Sequence, residues 1–256
     1  MKIIEDMSNK DYHNDTAVNA SLIKKMAVSM AKARDSLLHK TVQTPAMLQG
    51  TITHSLILEP DSFHNNYVVG EKFDKRTKAG KEAFAQFEAE NIGKTIISKE
   101  QFDIASACMD SVFKHRAASK LLLSGKAEES IFSDMDGLPV RIRTDWRNDK
   151  TIVDLKTCQD ASPAGFAKAV LNFRYDIQAA FYIDVLGADE FYFIAVETSS
   201  PYSTAVYTLP DNVIKKARVE YKELLLQWKL CLETDYYPAY SEEAVELSMP
   251  GWYKAA

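Results

Sequence analysis

The sequence predicts an α/β protein with a mixed central sheet of about five strands, flanked by helices, and a mostly helical N-terminal portion. Helical periodicity dominates residues 1–125, whereas residues 126–235 contain two groups of strand-like segments separated by a helix. Because 256 residues suffice for one domain with a well-buried core, we expect a single domain over 1–256. Its helical portion would be 1–125 and its core 126–235.

The composition is that of a soluble globular protein, with 46% hydrophobic and 26% charged residues. The chain has no run of about eighteen apolar residues, and its N-terminus lacks the apolar stretch of a signal peptide. Cys108, Cys158 and Cys231 lack the spacing of zinc or iron–sulfur sites. We therefore expect a cytoplasmic protein without membrane contact. The net charge of −5 argues against a surface coated with basic residues for nonspecific nucleic-acid binding.

The first predicted helix has an N-cap at Asn19 or Ser21 and extends to about Leu38. Apolar residues recur along it at helical spacing. The remaining positions carry several basic residues, including Lys24. Most of these are interpreted as a solvated face of the helix.

A second helix follows Thr44-Pro45 and ends at the break before Pro60. His54 lies in the middle of this helix among apolar residues. On spacing alone, a lone histidine in such a helix is more often a core residue than a ligand. Gly50 lies one turn earlier and would allow close backbone approach on the same side.

Residues 70–94 are the most polar part of the chain and predict a mobile loop that leads into a short helix. The loop concentrates positive charge around Gly80, at Lys75, Arg76, Lys78 and Lys81. An ordinary solvated loop would show the same composition. A longer helix is then predicted from about Ser98 to Leu123, opened by a capping box of Ser98 and Gln101.

Three strands with two tight turns are predicted between Glu128 and Thr157. If the second turn is centred between Asp149 and Lys150, Asp145 lies directly across from Asp154. The first turn, at Asp136-Gly137, places Glu128 opposite Asp145. One face of this predicted sheet therefore gathers charged side chains, at Glu128, Arg141, Arg143, Asp145, Asp154 and Lys156.

This charged face predicts a metal site. Carboxylates on directly opposed residues, with Cβ atoms roughly 4.5–5.5 Å apart, repel each other unless a cation lies between them. Three acids and a lysine suit a hard divalent metal such as Mg²⁺, kept partly hydrated for work on phosphates. The alternative is a surface hairpin with charge pairs. A basic loop near such a site would suit a phosphate backbone.

The last part of the chain predicts a long helix capped by Asp160 or Ser162. Gln178 and Tyr182 are i,i+4 neighbours on this helix, at the edge of its buried face. The chain then continues with two strands and a final helix, at 190–198, 202–209 and Asp211–Thr234.

Asp145, followed after a turn by Asp154-Leu155-Lys156, is similar to the D…(D/E)-x-K signature of the PDDEXK (restriction-endonuclease-like) nuclease superfamily. Within it, the whole chain resembles the exonuclease VIII (RecE-type) family, which is related to lambda exonuclease. The chain departs from it at Ser29-Met30, where relatives tend to have Ser-Pro. The matching positions are Tyr12-His13, Gly50-Thr51, His54, Leu58-Glu59-Pro60, Asp74–Lys81, Glu128, Ser130, Gly137-Leu138-Pro139, Arg143, Asp145, Asp154–Thr157, Gln178-Ala179-Ala180 and Tyr182.

The resemblance implies a PDDEXK catalytic core with Mg²⁺ as cofactor, for which Mn²⁺ would substitute. It implies His54, Asp145 and Asp154 as metal ligands with the carbonyl of Leu155, and Lys156 as the catalytic lysine. Gln178 and Tyr182 would lie beside the site. Beyond the resemblance, the charge pattern adds Glu128 to the metal site. It also predicts that six basic residues contact DNA: Lys75, Arg76, Lys78, Lys81, Arg141 and Arg143.

The function that the resemblance implies is 5′→3′ digestion of double-stranded DNA ends, leaving 3′ single strands for recombination. It also implies a ring-shaped homo-oligomer and a single-strand annealing partner (RecT-type), in a bacterial or phage-infected host. Two other classes stay open on the residues. One is a structure-specific or restriction-like PDDEXK endonuclease, and the other is a non-catalytic module that binds DNA ends.

Overall fold

The computed structural model describes residues 1–5, 7–39, 42–71 and 73–249. Its strands are β1 (Lys2–Ile4), β2 (Tyr67–Val69), β3 (Thr95–Ile97), β4 (Lys126–Met135), β5 (Leu138–Asn148), β6 (Thr151–Cys158), β7 (Glu190–Glu197) and β8 (Thr204–Tyr207). Its helices are α1 (Asn9–Asn14), α2 (Ala20–Met26), α3 (Met30–Leu38), α4 (Pro45–Leu58), α5 (Pro60–Asn66), α6 (Lys78–Glu90), α7 (Lys99–Lys114), α8 (Arg116–Leu121), α9 (Pro163–Asn172), α10 (Tyr175–Leu186) and α11 (Asp211–Thr234).

The central sheet is mixed and has the strand order β1-β4-β5-β6-β7-β8. β6 and β7 run parallel, and the other neighbours in this sheet are antiparallel. The predicted α/β fold class with a mixed sheet is confirmed. The prediction of about five strands missed β1, which is three residues long and therefore too short to show periodicity. The parallel pair of β2 and β3 was missed for the same reason.

Both hairpins have the predicted registers. β4 pairs with β5 through Ser130 opposite Arg143, and β5 pairs with β6 through Trp146 opposite Val153. In the first turn, Asp136 and Gly137 both have positive φ angles, 53° and 81°, as in the type I′ turns that favour hairpins. The turn chemistry thus sets which residues face each other.

Helices cover both faces of the central sheet, with a hydrophobic core on each side. On one face, α2, α9, α10 and α11 pack against the sheet around residues such as Phe181, Phe193 and Trp228. On the other face, α4, α7 and α8 pack around Leu155 and Ile194. β6 and β7 therefore contribute alternate residues to both cores, as expected for strands buried on both faces.

Three helices predicted as continuous are each divided in two. The first is interrupted before α3, where Ser29 adopts an extended conformation and its side chain accepts a hydrogen bond from the Lys32 N–H. The helix predicted from Ser98 to Leu123 is interrupted at His115, whose ring Nδ1 accepts a hydrogen bond from the Ala118 N–H. Apolar periodicity continues across such breaks, so it did not reveal the local caps.

The third break lies between α9 and α10, at Arg174. This residue has a φ of 52°, in the left-handed region. Its guanidinium bonds Asp176 at 3.1 Å and Glu220 of α11 at 2.7 Å. These ion pairs fix the start of α10 against α11, and α10 carries two of the predicted site residues.

The last helix, α11, is 24 residues long and amphipathic. Its buried residues recur at helical spacing and face the core, whereas its exposed side mixes charged residues with apolar ones such as Leu226 and Leu230. In the described ranges, no helix has both the length and the apolar character needed to cross a membrane.

Candidate metal centre

The candidate site lies where β5 and β6 separate. Their register runs from Asn148 opposite Thr151 to Trp146 opposite Val153. The next facing positions along the two strands are Asp145 and Asp154. The Leu155 N–H donates to Asp145 Oδ2 at 2.8 Å, so this carboxylate lies in the gap between the strands.

Three side chains meet at this gap and could hold a metal ion. One ligand atom from each of His54, Glu128 and Asp145 lies within 4.8 Å of the others. His54 reaches the gap from α4, with Nδ1 3.6 Å from Asp145 Oδ2. Glu128 comes from β4, where the register places it opposite Asp145, as predicted. Two carboxylates and an imidazole are ligands that Mg²⁺ or Mn²⁺ accepts.

Glu128 reaches the site through an unusual backbone conformation. Its φ angle is 52°, in a region that is uncommon for residues other than glycine. The neighbouring positions, Ala127 and Glu129, keep their ladder partners on β5. Strain of this kind persists where the surrounding structure enforces it and is concentrated at functional sites.

Asp154 lies beside this group but is oriented differently. It is 1% exposed, and its Oδ1 accepts a hydrogen bond of 2.6 Å from Gln178 Nε2. Its Oδ2 forms an ion pair with the ammonium of Lys156, yet this buried atom has no partner in hydrogen-bonding geometry. The resemblance implied a ligand set of His54, Asp145 and Asp154, whereas the tightest group contains Glu128 in place of Asp154.

The ionised forms of Glu128 and Asp154 are both disfavoured in the site. Burial, followed by the nearby charges of Asp145 and Glu59, raises the pKa of Glu128 to about 8. Burial also raises the pKa of Asp154, with Asp145 adding to the effect and Lys156 opposing it. A divalent cation would neutralise this repulsion. The three side chains of the group, and an Asp154 Oδ2 atom without a hydrogen-bond partner, therefore fit a hard metal ion.

Lys156 is the cation that the structure already provides. Burial disfavours its ammonium form, but the carboxylates of Asp154 and Asp145 outweigh this effect, so the pKa of Lys156 is raised. Its Nζ also lies 4.9 Å from the centre of the Tyr175 ring. At neutral pH this lysine is a fixed positive charge that points into the site.

Gln178 and Tyr182, predicted beside the site, lie there on α10 and are both 8% exposed. Gln178 bonds Asp154, as described above. Burial raises the pKa of Tyr182 well above its usual value, and the Asp154 and Asp145 charges add to this effect. The Tyr182 hydroxyl is therefore neutral at physiological pH. The carbonyl role expected of Leu155 stays a prediction.

Lys24 is a site residue that sequence reasoning missed. It was interpreted as part of a solvated face, but it is partly buried and its Nζ donates to Gln178 Oε1 at 2.7 Å. Burial, and then the charge of Lys156, lowers the pKa of Lys24 to about 7. The available signal was its spacing, because Lys24 lies one helical turn after the buried Ala20.

Arg141 and Arg143 were expected to contact DNA, and the structure gives them another role. They are 4% and 9% exposed, and both guanidinium groups lie over the Tyr12 ring. Arg141 donates to the carbonyl of Ala17 at 2.8 Å, and Arg143 donates to that of Met7 at 2.7 Å. These arginines bind the N-terminal segment to the sheet. Their contact with DNA stays a prediction.

The basic loop expected to bind DNA has local contacts and remains exposed. Arg76 bonds Asp74 at 2.9 Å, and Lys78 lies 3.8 Å from Glu82. Lys75 Nζ lies 3.2 Å from the centre of the Phe84 ring. Lys81 follows in α6, a helix without a buried residue. Lys72, in the same stretch, lies outside the described residues.

Comparison with protein families gives one match over most of the chain. The profile described as "PDDEXK-like domain of unknown function (DUF3799)" matches residues 19–248. A search of curated protein sequences finds no match.

Solved structures provide a second comparison. A presumed exonuclease from Eubacterium rectale is 16% identical, with a TM-score of 0.66 over 96% of both chains, which supports the fold. A phage-related exonuclease from Haemophilus somnus is 13% identical, with a TM-score of 0.35 over 70% of this chain and 96% of its own.

The raised pKa of Glu128 predicts how stability depends on pH. Glu128 has an ordinary pKa near 4.5 when unfolded and about 8 when folded. Its contribution to stability is therefore fully present below about pH 4.5 and is lost as the pH rises through 8. In a chelator, thermal melts should show a melting temperature that falls over this window. Added Mg²⁺ should restore stability at the upper end, because the metal binds the ionised acids.

The matched variants are Glu128→Gln and Glu223→Gln. The first keeps a neutral side chain in the partly buried position and should flatten the pH dependence, with Asp154 supplying the remainder. The second removes an exposed glutamate of α11 and should behave like the unmodified protein. An equal pH slope in all three proteins would show that Glu128 is not the titrating group.

Proposed function

This chain belongs to the family of PDDEXK-like domains whose profile matches residues 19–248, and on that premise we propose that it is a metal-dependent nuclease. The observation that carries the proposal is the group of His54, Glu128 and Asp145 in the gap between β5 and β6. Asp154 and Lys156 lie directly beside it. Two carboxylates and an imidazole around one gap, with a third carboxylate and a lysine beside them, suit metal-assisted hydrolysis of a phosphodiester bond.

In the proposed site, His54, Glu128 and Asp145 would hold the metal, with Asp154 at its side. A bound Mg²⁺ or Mn²⁺ would supply charge stabilisation for the phosphate oxygens and lower the pKa of a bound water. Lys156 would neutralise charge in the transition state, and it would orient the attacking water or help to deprotonate it. Gln178 holds Asp154 through its 2.6 Å hydrogen bond.

Within the nuclease class, we propose a RecE-type exonuclease that digests the 5′ strands of double-stranded DNA ends. Support comes from the ordered set of residues that resemble that family, from Tyr12-His13 to Tyr182. A ring-shaped homo-oligomer and a single-strand annealing protein as partner follow from the same resemblance. So does a single nuclease domain over 1–256. Mg²⁺ is the proposed cofactor because the ligands are mainly hard oxygens.

Variants of the site should separate catalysis from folding. Asp145→Asn should remove detectable cleavage, because it removes a ligand. Lys156→Met should lower turnover by about 10²–10³-fold, the usual cost of removing one group that stabilises transition-state charge. Both should still fold and bind duplex DNA. The control, Asp189→Asn, changes an exposed aspartate in the turn before β7 and should retain full activity.

The substrate form decides the type of nuclease. With Mg²⁺, linear duplex with 5′-phosphate ends should be degraded, whereas covalently closed circular DNA should remain intact. Cutting of the closed circle would indicate an endonuclease. DNA binding without cleavage of either form, in any divalent metal, would contradict a nuclease function.

The basic loop gives a separate prediction about DNA affinity. Changing four cations to glutamine, at Lys75, Arg76, Lys78 and Lys81, should weaken binding and reduce the slope of log affinity against log salt. The slope should fall by about 0.9 for each DNA phosphate that the altered loop no longer neutralises. Binding is measured in Ca²⁺, to prevent turnover.

The control neutralises four exposed lysines on α9 and α11, at Lys168, Lys215, Lys216 and Lys222. It removes the same net charge, so it corrects for long-range electrostatics. Equal salt slopes for the two fourfold variants would show that the loop does not bind DNA specifically.

A further inference from the structure

Gln178 joins two charged groups that come from different parts of the fold. Its Nε2 donates to Asp154 Oδ1 at 2.6 Å, and its Oε1 accepts from Lys24 Nζ at 2.7 Å. Asp154 belongs to the central sheet, whereas Lys24 lies on α2 in the helical layer. The amide therefore forms the middle of a chain from Lys24 to Asp154.

The chemistry of the two ends fixes the amide in one orientation. A lysine ammonium can only donate hydrogen bonds, so the Gln178 oxygen has to face Lys24. The Gln178 NH₂ group then faces Asp154. Asp154 alone would not fix the orientation of the amide. Its pKa is raised, and a protonated carboxyl group can donate a hydrogen bond as well as accept one. Lys24 thus supplies the constraint that does not depend on the state of Asp154.

The surroundings of Lys24 show that it is held in the site. Its Nζ lies 5.0 Å from the centre of the Tyr175 ring, and Lys156 Nζ lies 4.9 Å from the same centre. Two ammonium groups beside one ring repel each other, and partial burial adds to the cost of the Lys24 charge. A neutral residue would avoid both costs. The position is therefore poorly explained by stability alone.

We propose that Lys24 is a positioning residue of the nuclease site, which acts through Gln178 to hold the Asp154 carboxylate in place. With Oδ1 bonded to Gln178, Asp154 keeps Oδ2 directed toward Lys156. Lys24 touches neither the metal ligands nor the phosphate in this role. The inference rests on the proposed function, but the hydrogen bond on which it depends can be tested without any catalysis.

The first test observes the Gln178 side chain by NMR. In ¹⁵N-labelled protein, its NH₂ signals are assigned by their loss in Gln178→Ala. Lys24→Met should shift them toward the positions of a glutamine side chain that is hydrogen-bonded only to water. Lys25→Met, which removes the same charge from the next position of α2, should leave them unchanged. Unchanged Gln178 signals in Lys24→Met would overturn the proposal, whether or not the protein cleaves DNA.

The second test is kinetic and uses a double-mutant cycle. Lys24→Met should lower kcat by about 10- to 100-fold with little change in KM, as expected for misplacement of a catalytic group by about 1 Å. In a Gln178→Ala background the same change should have no further effect, because Lys24 acts through that amide. Lys25→Met should retain normal kcat and KM.

Two kinetic results would contradict this role. Additive losses would mean that Lys24 acts independently of Gln178. A raised KM with unchanged kcat would mean that Lys24 binds the phosphate of the DNA directly. Melting temperatures are measured for every variant, and Lys24→Leu, which also lacks a hydrogen-bond donor, replaces Lys24→Met if the methionine variant does not fold. If unmodified protein shows no cleavage, the proposed function fails, and the NMR test still decides whether Lys24 positions Gln178.

Discussion

Repulsion between carboxylates in the gap between β5 and β6 is the constraint on which the site depends. The strands separate after Trp146 and Val153, and Asp145 enters the space between them, where the Leu155 N–H holds it. Glu128 is brought beside it by a left-handed backbone conformation. Burial raises the pKa values of Glu128 and Asp154, and the charge of Asp145 adds to the effect. A bound divalent cation would offset this repulsion, which links the arrangement of the acids to the proposed chemistry.

Helical layers on both faces of the sheet complete this gap. From one side, α4 supplies His54; from the other, α10 supplies Gln178 and α2 supplies Lys24. The positive charge of the site comes from Lys156 on β6 and from Lys24 on α2. The Lys156 ammonium pairs with Asp154, whereas the Lys24 ammonium bonds the Gln178 amide oxygen. The buried arginines serve a different purpose, since they bind the N-terminal segment to the sheet.

Turn chemistry made the pairing of β4, β5 and β6 predictable. The Asp136-Gly137 turn and the turn at Asp149 determine the hairpin registers, and those registers place Glu128, Asp145 and Asp154 on one face. Side chains alternate between the two faces of a strand, so the turn that fixes the register also fixes the face on which each side chain lies. The helix breaks were not predictable from periodicity, because each depends on a cap or ion pair formed locally. Lys24 was missed because its partner is 154 residues away along the chain, and sequence pattern reports only nearby neighbours.

Anomalous diffraction from crystals soaked in Mn²⁺ tests the metal centre most directly. Manganese identifies its own position by its anomalous signal, so the result does not depend on activity or on a choice of DNA substrate. We expect one strong peak within coordination distance of His54, Glu128 and Asp145, with Asp154 beside it, and no such peak in Asp145→Asn crystals. A peak elsewhere on the protein, with these side chains unchanged and free of metal, would contradict the assignment of this gap as the metal centre.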